Sequence, residues 1–86
     1  GKVKKVTNMK KITKKEMIAR VKNTHLLFNT RIVDTIWDKE DQILTVIGVT
    51  SHHNVVKRVW YYEHEDDSIN FLDGVSGYMF VMKEGE

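Results

Sequence analysis

The chain has 86 residues, 41% hydrophobic and 30% charged, with eight aromatics and neither cysteine nor proline. That length supports one core rather than two, and the apolar content is too high for a disordered tail, so a single folded domain is expected. The missing cysteines exclude disulfides, thiolate metal sites and thiol nucleophiles. No apolar run approaches the ~18 residues a bilayer crossing needs, and no apolar signal core follows the leading lysines, so the chain reads as cytoplasmic.

The net charge of +2 conceals an uneven distribution. Residues 1–22 hold nine of the fourteen basic side chains and one of the twelve acidic ones; residues 23–86 hold the remaining five and eleven. Such a polarity suggests an anionic partner for one end and a cationic partner for the other. Residues 1–12 are read as a basic, mobile segment, because they combine like charge with few apolar side chains at a terminus. Residues 13–86 are read as one α+β domain.

The first element is announced by Thr13-Lys14-Lys15-Glu16. In this capping box the threonine hydroxyl accepts from the Glu16 amide, which starts a helix at Lys14. Met17, Ile18, Val21, His25 and Phe28 form a helical stripe for packing on a sheet, with an end expected between Asn23 and Asn29. From Arg31 onward, branched and aromatic residues gather in short runs between acidic or glycine-bearing turns, which is a β pattern. Strands are expected over 31–37, 43–50, 55–64, 68–72 and 78–83, with Asp73 to Gly77 as the last turn. The second is apolar on both faces, as a central or doubly covered strand is. Short links favour antiparallel neighbours, so the expected architecture is one N-terminal helix on a five-stranded antiparallel meander, an open sheet or a small barrel. Val3 and Val6 are candidates for an extra edge strand.

Three constellations carry candidate chemistry. The lysines Lys4, Lys5, Lys10, Lys11, Lys14, Lys15 and Lys22 suit phosphate neutralisation, which is salt-sensitive and nearly blind to sequence. The alternative is a solvated, solubilising terminus. On the third strand, Lys57-Arg58-Val59-Trp60-Tyr61-Tyr62 sets Arg58, Trp60 and Tyr62 on one face. Cations beside aromatics are what single-strand stacking platforms use, and core packing is the competing reading. Asp38, Glu40, Asp41, Glu65, Asp66 and Asp67 lie at turns, where they either form the turns or present an acidic surface to a cationic protein.

His52-His53 and Glu63-His64-Glu65 match no metal-ligand spacing, so no metal and no cofactor is expected. No phosphate-cradling glycine loop or nucleophile elbow is present, and carboxylate pairs in hydrated turns lack the environments that push pKa values apart, so no enzymatic activity is expected. The leading expectation is a small accessory or regulatory protein that binds nucleic acid electrostatically. The second is a protein-binding inhibitor or adaptor, as monomer or homodimer.

Overall fold

The computed structural model describes residues 10–76. They form an α-helix, α1 (Lys14–Val21), a 3₁₀ turn (His25–Leu27) and four strands: β1 (Thr30–Asp38), β2 (Ile43–Thr50), β3 (Val55–Glu63) and β4 (Ser68–Ser76). The strands make one open antiparallel sheet in the order β1-β2-β3-β4. The architecture is the expected helix on an antiparallel meander, and of the two alternatives, open sheet or small barrel, the described residues form the open sheet, with four strands where five were expected over the chain. The run 78–83 and the candidate edge strand at Val3 and Val6 lie outside the described residues.

The helix begins where the capping box placed it. Thr13 is extended and its Oγ1 accepts from the Glu16 amide at 3.1 Å. It stops earlier than expected, because Thr24 Oγ1 donates to the Val21 carbonyl at 2.8 Å and so satisfies a carbonyl a further turn would have used. The expected stripe is accordingly cut. Met17 and Val21 are fully buried, whereas Phe28 is 75% exposed and His25 is exposed too. The 3₁₀ turn rotates Leu27 into the core instead, with Leu26 packed beside it.

The core lies between α1 and one face of the sheet. Met17, Val21, Ile12 and Leu27 meet Leu44, Val46, Trp60 and Tyr62 in one cluster. Trp60, 2% exposed, also meets Phe71 edge-on, with ring centroids 6.0 Å apart. Ile12 at 6% exposure shows that the core reaches one residue into the segment read as a basic arm.

The other face of the sheet carries the alternate residues. Ile43, Thr45, Ile47 and Val49 on β2, and Val59 and Tyr61 on β3, stay partly exposed and belong to no described core cluster. Both faces of β2 are thus apolar, as its composition indicated, yet the helix covers only one.

Residues 73–76, expected as a turn, continue β4. A bulge between the Trp60–Phe71 and Val59–Asp73 pairs absorbs Leu72 and lets the ladder run on to Ser76. Gly74 lies within the strand and not at a turn, and a Cβ there would crowd side-chain ends, 2.9 Å from the Phe71 ring and 3.3 Å from the Arg58 side chain. Among the described residues no helix is long and apolar enough to cross a membrane.

Candidate anion-binding cleft

The meander brings the β1–β2 and β3–β4 turns to the same end of the sheet, and residues 10–14 arrive there too. The acidic turn residues and several basic ones are therefore neighbours, and the polarity of the sequence is not preserved in space. Over residues 10–76 the charge balances at ten basic and ten acidic side chains.

Asp67 is the clearest case. Its left-handed backbone (φ 55°) turns the carboxylate inward, where Oδ1 accepts from Tyr62 Oη at 2.7 Å, Arg20 Nη2 at 3.1 Å and Lys10 Nζ at 3.5 Å. Arg20 Nη1 also donates to the Asp67 carbonyl, and its Nη2 reaches Glu16. The Arg20 guanidinium stands 5.9 Å from the centre of the Tyr62 ring. The Tyr62 hydroxyl, then Arg20, hold the Asp67 carboxyl below its ordinary range. The same bond to Asp67 raises the Tyr62 phenol, and Glu16 with Asp67 raises Arg20. This network fastens α1 to the β3–β4 turn and removes Lys10 and Arg20 from the pool of free cations.

A different group of cations converges beside it. Lys11, Lys14 and Lys39 rim a cleft of about 350 Å³ whose remaining walls are Ile12, Thr13, Trp37 and Gln42. Among the described residues none of these three lysines forms a salt bridge. Gln42, 8% exposed and left-handed (φ 57°), holds the cleft together. Its Oε1 accepts from the Ile12 amide at 2.8 Å, its Nε2 donates to the Lys39 carbonyl at 3.0 Å, and its own carbonyl accepts from the Tyr62 amide at 3.0 Å. One side chain thus ties the segment before α1 to the β1–β2 turn. Trp37 leans on the core with its ring half-buried and forms the aromatic wall.

The expected site residues are dispersed. Trp60 and Tyr62, at 2% and 5% exposure, are core residues, and the face expected to receive bases is the face that received the helix. Lys57 and Arg58 project to opposite faces of the sheet. Arg58 Nη1 donates to the carbonyls of Lys57 and Val75. Lys15 and Lys22 are exposed on α1, away from the cleft, and Lys4 and Lys5 lie outside the described residues.

The acidic residues do share one end, but many serve the turns. Asp38 accepts from the Asp41 amide, Asp66 from Ser68 and Glu63 from the Glu65 amide, leaving the exposed carboxylates of Glu40, Asp41 and Glu65 without such a bond among the described residues. Ligand atoms of Glu63, His64 and Glu65 come within 4.8 Å of one another, yet three consecutive residues of one turn lack the convergence from separate segments that closed metal sites use. A second cleft of about 430 Å³ at the opposite end has Arg31, Thr50, Ser51 and His53 on its walls. It offers one permanent cation and, besides the His53 imidazole, no aromatic ring.

No family model, curated protein or solved structure matches this chain significantly. The site therefore stands on its own geometry. Sequence reasoning picked out Lys11 and Lys14 but missed Trp37, Lys39 and Gln42. Trp37 resembled any strand aromatic, Lys39 any turn residue, and nothing local marks Gln42 as the bridge between two distant segments.

Proposed function

We propose that this domain binds single-stranded nucleic acid, as a small accessory or regulatory protein, at the cleft between the N-terminal turn of α1 and the β1–β2 turn. Lys11, Lys14 and Lys39 neutralise phosphates there, and Trp37 offers its ring to a base. The observation that carries this reading is the convergence of three unpaired lysines on one aromatic wall. A cleft of about 350 Å³ falls within the range of small-ligand sites. Lysines supply charge without guanine-reading geometry, so little sequence preference follows.

Because residues 10–76 are electrically balanced, the attraction that the described residues supply is concentrated at the cleft. Three neutralised phosphates correspond to a slope of about −2 in log affinity against log salt. Fluorescence anisotropy with a labelled oligonucleotide, titrated from low to near-physiological salt, measures this slope. Replacing Lys11, Lys14 and Lys39 together by alanine should abolish binding, and Trp37→Ala should weaken it by about 1–3 kcal/mol. Lys15→Ala and Lys22→Ala should leave affinity unchanged. Equal losses from all five lysines, or no binding at low salt, would overturn the proposal.

A further inference from the structure

The sheet face turned away from α1 is the largest feature the cleft does not use. Pairing across the strands lays out its rows: Ile36, Thr45, Val59 and Asp73 form one, and Asp34, Ile47, Lys57 and Val75 the next. Ile36 is 59% and Val75 43% exposed, and the residues between them are partly exposed. Four of these eight residues, Ile36, Ile47, Val59 and Val75, are apolar, and an exposed apolar patch of a few hundred Å² on a monomer is often functional.

We propose that this face is covered by the same face of a second copy, in a two-fold symmetric sheet-on-sheet dimer. Two observations select this occupant. The first is size. Four strands about 4.8 Å apart and about seven residues long present roughly 450 Å², so a face-to-face pair buries about 900 Å², the range of weak, concentration-dependent association.

The second is charge. The second of these rows carries one acid, Asp34, on β1 and one base, Lys57, on β3, while Asp73 in the first accepts from the Gly74 amide. Asp34 and Lys57 stand two strand spacings apart, and among the described residues neither forms a salt bridge. A dyad parallel to the strands, between β2 and β3, lays each β3 over the partner's β2. Each Lys57 then lies beside the partner's Asp34, giving two equivalent ion pairs at the rim of an apolar patch. Such a surface is complementary to itself, as an isologous interface must be. The lysine cleft is on the helix side, so the two proposals stand or fall separately.

Sedimentation equilibrium of the full chain over a micromolar concentration series tests the dimer. The weight-average mass is expected to rise from one chain towards two. Ile36→Lys and Ile47→Lys should hold it at one chain while circular dichroism remains native. Lys57→Glu and Asp34→Lys, each on the surface and safe for folding, should each weaken association about tenfold or more, and the double exchange Lys57→Glu with Asp34→Lys should restore it. A single-chain mass at every concentration overturns the proposal. Binding of an apolar dye by that monomer would show the face open to a foreign protein. A dimer that survives Ile47→Lys with native folding, or charge variants the double exchange does not rescue, also overturns it.

Discussion

The two faces of this sheet are built from the same residue types and meet different fates. The helix-side face, with Leu44, Val46, Trp60 and Tyr62, is closed by Met17 and Val21, whereas the other, with Ile47, Val59 and Tyr61, is closed by nothing among the described residues. Composition alone does not separate them. What differs is the anchorage available to α1: the Arg20–Asp67–Tyr62 network and the Gln42 bridge both grip from the helix side. Apolar area supplies the drive for covering a face, and a few oriented polar bonds select which face is covered.

The largest expected effect contrasts the faces directly. Trp60→Ala empties the fully packed side and should destabilise the fold by about 3–5 kcal/mol, whereas Val59→Ala on the open side should stay below about 1 kcal/mol in the monomer, both read from urea denaturation. Similar losses would mean that the second face is as well covered as the first.

Next in size are the glycines of the helix side. At Gly48 a Cβ would stand 2.5 Å from Thr30 Cγ2 and 3.0 Å from the Arg31 carbonyl oxygen. Backbone must yield there, so Gly48→Ala should cost about 1–3 kcal/mol. Gly74→Ala meets only the ends of the Phe71 and Arg58 side chains and should be milder. The two melting temperatures rank them.

The smallest effect concerns the network that holds the helix. The carboxyl of Asp67 is depressed by Tyr62 and Arg20, so its contribution is present above the ordinary carboxylate range and disappears as pH falls through the lowered folded value. The Tyr62 phenol is raised, so its contribution holds below about pH 10 and is lost as pH rises through the raised value. Asp67→Asn should flatten both limbs of the stability profile measured by urea midpoint against pH. Unchanged limbs would assign the hold on α1 to packing alone.

Much of the scaffold was legible locally. The capping box at Thr13 placed the start of α1, and the acidic turns at 38–42 and 64–67 set strand boundaries to within a residue or two. The misreadings came where side-chain contacts outweighed the residue pattern. The Thr24 hydroxyl ended the helix by donating to the Val21 carbonyl, and Gly74 resembled a turn residue although it lies within β4 against the Phe71 and Arg58 side chains.

By itself the sequence determined the main elements and, along β2 and β3, which residues share a face, because those follow from backbone periodicity and turn chemistry, whereas the bulges at Val33 and Leu72 reset the alternation of the two edge strands. It did not determine which face would take the helix, that Trp60 would be core while Trp37 walls a cleft, or that Lys10 would meet Asp67 while Lys11 and Lys14 meet Lys39. Those depend on contacts between residues tens of positions apart, and the free energy of such contacts exists only once the chain has closed on itself.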